Sequence, residues 1–206
     1  MTDRQSLRRT LRARRRALTP QQQLAAARIL CRRLQHQPLF RRSRHIAFYL
    51  PNDGELDPRP LMQLAWKMNK HCYLPVLQPF HQRLYFIRHN ATAALRSNRF
   101  GIPEPVLRLH TLKAPLLDLV LLPLVGFDAH GGRIGMGGGF YDRSFAFKKL
   151  SKSAKPFMLG LAHSCQQVDK LDCAAWDIPL DAIVTEKKIF ITHRRAAQQD
   201  FLTTGR

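Results

Sequence analysis

Between Phe127 and Arg143 the chain reads FDAHGGRIGMGGGFYDR, and four of the five residues from Gly135 to Gly139 are glycine. Glycine adopts positive φ freely and lets backbone amides approach a ligand with no Cβ in the way. A run of such amides forms a concavity suited to phosphate, the more so where a helix begins beside it. Phe140 to Leu150 is expected to supply that helix. Arg133 and Arg143 flank the run and offer guanidinium forks to phosphate oxygens. Asp142 can hold Mg2+ through its carboxylate or cap the helix, since both tasks need the same residue type in the same place. The run lacks the Gly-Lys-Ser/Thr ending of a Walker A loop and is not a dinucleotide fingerprint in its usual strand–loop–helix setting. On glycine content alone, a merely flexible turn is the alternative.

A loop of this kind needs a rigid strand to deliver it. Asp118 to Pro123 (DLVLLP) is apolar on both faces, as the middle of a buried parallel sheet requires. It precedes the loop by one short connection, and in open α/β sheets ligands bind beyond the carboxyl ends of strands. Further strands are expected at His45 to Leu50, ended by the turn Pro51-Asn52-Asp53-Gly54, and at Cys72 to Leu77, Leu84 to Ile87, Phe157 to Ala162 and Ala182 to Thr185. Helical spacing covers roughly residues 3–17, residues 20–36 after Thr19-Pro20, and Leu61 to Met68. In the second helix Leu24, Ala27, Leu30, Cys31 and Leu34 share one side. The alternation predicts an α/β three-layer sandwich, with a mostly parallel central sheet and helices on both faces. Residues 1–191 read as a single domain without internal repeats, and the polar residues 192–206 as a disordered tail.

The first helix carries Leu7, Leu11 and Leu18 as its core stripe, which leaves Arg4, Arg8, Arg9, Arg12, Arg14, Arg15 and Arg16 for the remaining surface. Arg4 and Arg8, one turn apart, share a face. Over the whole chain 34 Lys+Arg face 14 Asp+Glu, a formal net charge of +20. Such a surface suits nucleic acid, an anionic membrane or a polyanionic small substrate, and charge does not choose among them. No RNP, helix-turn-helix or zinc-finger pattern supports specific nucleic-acid readout. The charge and the loop admit a nonspecific nucleic-acid-binding module and an ATP-dependent kinase or ligase.

Cys31, Cys72, Cys165 and Cys173 show no metal or disulfide spacing and read as free thiols in a reducing compartment. The nine histidines show no HxH or HExxH spacing, which gives imidazole metal ligation no support. Trp66 and Trp176 are expected in or near the core. No apolar stretch follows the basic N-terminus, and the longest one, Leu119 to Phe127, is too short to span a bilayer. A cytoplasmic protein is expected, without a membrane partner.

The run LPLVGFDAHGGRIGMGGGFYDR (residues 122–143) resembles the 5-formyltetrahydrofolate cyclo-ligase family, also called 5,10-methenyltetrahydrofolate synthetase. Four further elements match in order: RQSLR (4–8), YLPNDGELD (49–57), GIPEP (101–105) and WDIPLDAIVTE (176–186). The resemblance extends to about residue 190 and implies a three-layer α/β fold with ATP- and Mg2+-dependent closure of 5-formyltetrahydrofolate to 5,10-methenyltetrahydrofolate. It makes Arg133, Ile134, Gly135, Met136, Gly137, Gly138, Gly139, Phe140 and Tyr141 a combined nucleotide and folate loop, with Arg133 and Tyr141 as catalytic residues. It places Arg4 and Arg8 at nucleotide phosphate and substrate, Leu50 and Glu55 against the folate, and Asp142 and Asp177 on Mg2+. A carboxylate such as Glu55 suits the donor edge of a pterin. Arg4 stands where family members commonly carry lysine, and Met136 and Phe140 where basic residues or Tyr are frequent. A monomer acting on folate, polyglutamylated or not, is implied.

Overall fold

The computed structural model describes residues 3–78, 81–106, 110–150, 155–174 and 176–192. Its helices are α1 (Arg4–Arg16), α2 (Pro20–Leu34), α3 (Pro38–Arg42), α4 (Arg59–Lys67), α5 (Phe140–Ser144) and α6 (Phe147–Leu150). The first strands are β1 (His45–Ala47), β2 (His71–Leu77), β3 (Leu84–His89), β4 (Leu95–Ser97), β5 (Pro103–Pro105) and β6 (Thr111–Leu112). They are followed by β7 (Leu119–Pro123), β8 (Gly126–Phe127), β9 (Arg133–Ile134), β10 (Phe157–Leu161), β11 (Ala182–Val184) and β12 (Ile189–Ile191).

Eight strands form one sheet in the order β12-β11-β10-β7-β1-β2-β3-β6. The apolar run of β7 lies inside it, parallel to β1 on one side (Ile46 opposite Leu119) and to β10 on the other (Phe157 opposite Leu119). Burial on both faces explains why every position from Leu119 to Leu122 is apolar. Leu119 and Leu121 enter one core, with Leu30, Leu34 and Leu61 of α2 and α4. Val120 and Leu122 enter the opposite core, with Leu117, Phe145 and Leu180. The long helices α2 and α4 thus cover one face. The other is covered by the short α5–α6 pair and by extended chain.

Two of the antiparallel pairings, β2–β3 and β11–β12, follow short connections. Gln78 N–H donates to the Arg83 carbonyl at 3.1 Å, closing a hairpin between β2 and β3. Thr185 N–H donates to the Lys188 carbonyl at 3.0 Å and closes another between β11 and β12. A parallel return needs a crossover of about a dozen residues or more. Two small ribbons, β4–β5 and β8–β9, stand outside the main sheet.

Local chemistry sets the helix starts. The Asp3 carboxylate accepts from Gln5 N and Ser6 N at the head of α1, and Thr19 and Gln22 form a reciprocal capping box ahead of Pro20 in α2. Two expectations need correction. Leu24 is 51% exposed, because at 100° per residue the buried stripe of α2 centres on Ala26, Ala27, Leu30 and Leu34. The helix after the glycine loop is not continuous to Leu150: it breaks at Phe145, whose ring is fully buried in the second core against Phe86. Thr192 still belongs to the packed body, its hydroxyl donating to the Leu180 carbonyl. Residues 193–206 of the expected tail lie outside the described ones. Cys31, Cys72, Cys165 and Cys173 are free, and among the described residues no helix is long and apolar enough to cross a membrane.

Candidate active site

A cavity of about 710 Å³ opens beyond the carboxyl ends of β1, β2 and β7, where Leu50, Leu77 and Val125 reach its wall. That is the place and the size at which open α/β sheets bind small ligands. One side is the glycine loop, from Gly135 through Asp142. Positive φ at Gly137 (98°) and Gly139 (62°) turns the chain through left-handed conformations that side chains disfavour. Gly139 stands at the head of α5 and so presents the first helical amides to the cavity.

Helix α1 forms the adjoining wall. Of its seven arginines, Arg4, Arg8, Arg12 and Arg15 line the cavity. Arg8 Nε donates to the Gly135 carbonyl at 2.8 Å, and Arg4 lies 3.4 Å from an oxygen of Asp177. The expectation that arginines beyond Arg4 and Arg8 are solvated fails at Arg15, which is fully buried. Its guanidinium reaches the backbone oxygens of Asp53 (2.8 Å) and Leu124 (3.4 Å) and the Asp53 carboxylate (2.8 Å). Arg12 and Arg16 also bind Asp53. Burial alone would raise the Asp53 carboxyl, but its hydrogen bonds to Arg12, Arg16 and Arg15 hold it at about 2. The signal was in the sequence: Arg4, Arg8, Arg12 and Arg15 follow one helical face.

Glu55 closes the third side. Asp53 and Gly54 both have positive φ (54° and 77°), as the centre of a type I′ turn requires, and Glu55 N–H donates back to the Asn52 carbonyl at 3.1 Å. The carboxylate returns the contact by accepting from Asn52 N–H at 3.1 Å. Burial pushes the Glu55 carboxyl up to about 7, against the opposing pull of Arg15 at 3.8 Å. Burial likewise raises the Tyr141 phenol, with the Glu55 charge adding to the shift, so the hydroxyl remains a proton-bearing donor.

Arg133 and Asp142 are engaged with one another. Arg133 is 7% exposed, its Nε donates to the Ile178 carbonyl at 3.1 Å, and its Nη2 is ion-paired with Asp142. The same Asp142 oxygen accepts from Ile178 N–H at 3.0 Å, which sets Asp142 beside Asp177. Asp177 accepts from Ala174 N–H at 2.9 Å through Oδ2. The second oxygens, Oδ2 of Asp142 and Oδ1 of Asp177, meet no protein donor among the described residues. A pair of half-engaged carboxylates at a cavity wall fits Mg2+, which takes one or two carboxylates and completes its shell with water and phosphate oxygens. Among the described residues no group of three or more His, Cys, Asp or Glu gathers to enclose a metal without such outside ligands.

Most of the residues expected at the site meet here: Arg4, Arg8, Leu50, Glu55, Arg133, Gly135 to Asp142, and Asp177. Ile134 does not. Its side chain is 1% exposed and packs with Leu11 and Val125, because β9 turns it away from the cavity. Arg143 is another correction, since its guanidinium braces the loop from outside by donating to the carbonyls of Gln82 and Gly138. Trp176 is 72% exposed on the cavity rim rather than packed in the core. Sequence reasoning also missed Glu104, which lines the cavity and accepts from Leu77 N–H (3.1 Å) and the Asn98 amide (2.7 Å).

An α/β sheet with an arginine- and amide-walled cavity at its carboxyl edge defines an enzyme-type site for an anionic ligand. The family model described as 5-formyltetrahydrofolate cyclo-ligase matches residues 1–186. The 5-formyltetrahydrofolate cyclo-ligase of Escherichia coli K12 is 42% identical over 182 residues, 87% of this chain and 98% of that protein. Its counterpart in Haemophilus influenzae is 45% identical over 143 residues, 68% of this chain and 74% of that protein. The solved structure of Aquifex aeolicus 5,10-methenyltetrahydrofolate synthetase superposes with a TM-score of 0.78 at 30% identity, covering 98% of this chain and 94% of that one. The chain belongs to the 5-formyltetrahydrofolate cyclo-ligase family and is an enzyme of the ligase class.

Proposed function

We propose that the chain converts 5-formyltetrahydrofolate to 5,10-methenyltetrahydrofolate with hydrolysis of ATP to ADP and phosphate, and that both substrates occupy the one cavity. The observation carrying this reading is the division of its walls: glycine-loop amides with Arg4 and Arg8 on one side, Leu50 and a buried Glu55 carboxyl on the other. The first set suits the triphosphate, the second the aminopyrimidine edge of the pterin.

A formamide carbonyl is a poor electrophile and its oxygen a poor leaving group. In the proposed reaction the formyl oxygen attacks the γ-phosphorus and ADP leaves, giving an iminium phosphate. The anilino nitrogen then attacks the formyl carbon, loses its proton, and the C–O bond breaks to release phosphate. Positioning and charge stabilisation carry such a transfer. Arg8 and the loop amides from Gly135 to Gly139 hold phosphate oxygens, and Met136 and Phe140 flank the folate. Arg133 orients Asp142, and the protonated Tyr141 hydroxyl donates towards the reacting groups. Asp142 and Asp177 would hold Mg2+, which would supply charge neutralisation at the phosphates. The working unit is a monomer in the cytoplasm, with a packed body that includes Thr192.

The test is the growth of methenyltetrahydrofolate absorbance when purified protein receives 5-formyltetrahydrofolate, ATP and Mg2+. Product formation that depends on both ATP and Mg2+ is expected. Folded protein that forms no ATP-dependent product sinks the reading.

A further inference from the structure

The fully buried Arg15 has no part in the scheme above, yet it is the cation nearest to Glu55. Its Nε and Nη2 hold the Asp53 carbonyl and carboxylate at 2.8 Å each, and its Nη1 reaches the Leu124 carbonyl at 3.4 Å. The guanidinium therefore ties α1 to two carboxyl-edge segments, the turn after β1 and the end of β7. Backbone contact reinforces the tie: a Cβ on Gly54 would stand 3.4 Å from the Arg15 carbonyl oxygen.

The distribution of charge is uneven. Asp53 is met by three guanidinium groups, those of Arg12, Arg15 and Arg16. Glu55 is met within ion-pair distance by Arg15 alone among the described residues, at 3.8 Å from Oε1. Its other oxygen, Oε2, is occupied by the Asn52 amide, so Oε1 is the atom left between Arg15 and the cavity. The groups facing Glu55 are Arg15 and Arg12 from α1, Asp53 from its own turn, Tyr49 from the chain after β1, and Tyr141 from α5. Burial and Asp53 disfavour the charged carboxyl, while Arg15, the Asn52 amide and Arg12 favour it.

We infer that Arg15 is a positioning residue that fixes the Glu55 turn and favours the carboxylate form of Glu55, so that it can accept hydrogen bonds from the folate. The inference rests on the proposed contact between Glu55 and the substrate. If Arg15 loses its charge, Asp53 keeps Arg12 and Arg16, whereas Glu55 loses its nearest counter-charge. An opposite charge at this range lowers a carboxyl pKa by about 1–3 units.

The chain has three glutamates, so 13C labelling of glutamate side chains allows the Glu55 carboxyl to be titrated directly, with Glu55→Gln identifying its signal. In ligand-free protein, Arg15→Gln is expected to raise the Glu55 midpoint by about one unit or more, and Arg15→Lys to leave it near wild type. Without ATP present, affinity for 5-formyltetrahydrofolate at pH 7 should fall about tenfold in Arg15→Gln and recover towards wild type at pH 9. Affinity for ATP alone should hold in both variants. An unmoved Glu55 midpoint in folded Arg15→Gln overturns the inference. A raised midpoint with unchanged folate affinity overturns the substrate contact on which it rests, leaving the cyclo-ligase activity untouched. Should Arg15→Gln not fold, Arg15→Lys decides. Folate affinity within about threefold of wild type supports a charge role, and a tenfold loss that persists at pH 9 overturns it.

Discussion

Arg8 Nε donates to the carbonyl oxygen of Gly135 at 2.8 Å, which fastens the N-terminal helix to the first residue of the glycine cluster. The rest of that guanidinium lies over Gly137, where its carbon would stand 3.5 Å from an added Cβ. One arginine thus fixes the loop and leaves its Nη atoms facing the proposed phosphate site. Lysine has no fork to do both. Arg8→Lys should weaken ATP binding about tenfold and Arg8→Ala further still. Calorimetric titration with ATP in the absence of folate measures both, and wild-type affinity in Arg8→Ala refutes the assignment.

Arg133 and Asp142 form a part-buried pair in which each also serves Ile178. Removing either partner leaves the other uncompensated, so Arg133→Met and Asp142→Asn should each cost about 1–3 kcal/mol of folding stability. The double variant should cost less than the sum of the two, because the unpaired charge is then gone. Urea titrations give all three values. Strict additivity would mean that the contact carries no coupling. Asp142→Asn should in addition raise the Mg2+ concentration needed for half-maximal turnover.

The Glu55 carboxyl, pushed up to about 7 by burial, binds its proton in the folded chain over a pH range where the unfolded chain has released it. Folding stability therefore falls as pH rises from about 4.5, the unfolded value, to about 7, and stays lower above that. Glu55→Gln removes the titration. It should be more stable than wild type at pH 8, by on the order of 2 kcal/mol, and show no such advantage below pH 4. Thermal melts across that pH range give the answer, and a difference independent of pH contradicts the assignment. Asp53 behaves in the opposite sense. Its carboxyl is held at about 2, so its contribution is present above the unfolded value near 3.9 and is lost as pH falls through about 2.

Gly137 has φ of 98°, a conformation that costs an L-residue energy whatever space surrounds it. Gly137→Ala should lower global stability by about 1–2 kcal/mol and weaken ATP binding more than that strain alone accounts for. The loop can relieve the strain only by moving its amides. Comparing the loss of ATP affinity with the shift in melting midpoint separates the two effects. Equal fractional losses would make the glycine purely structural.

Some of this architecture was legible in the sequence because local chemistry and tertiary context agree there. The Thr19-Pro20 start of α2, the doubly apolar Leu119–Pro123 and the positive-φ glycines each carry their own physical signal. What escaped depends on partners distant in the chain. Arginine at position 15 reads as solvated because burying a guanidinium is unfavourable without compensation, and its compensation comes from Asp53 and Leu124. Leu24 reads as core because its spacing fits a helical stripe, and only the packed sheet shows where that stripe is centred. Ile134 was assigned to the site by its place in the loop, yet a two-residue strand turns its side chain inward. The break at Phe145 follows from the need of the second core for an aromatic ring, which no local propensity records.

The contacts of α1 span 173 residues to Asp177 and 127 to Gly135. During synthesis this helix emerges before every residue it clasps. Asp53 follows early to meet Arg12, Arg15 and Arg16, whereas the partners of Arg8 and Arg4, Gly135 and Asp177, come much later. The candidate cleft therefore cannot close until Asp177 has emerged, and a chain terminated before Gly135 carries α1 without the loop it would meet.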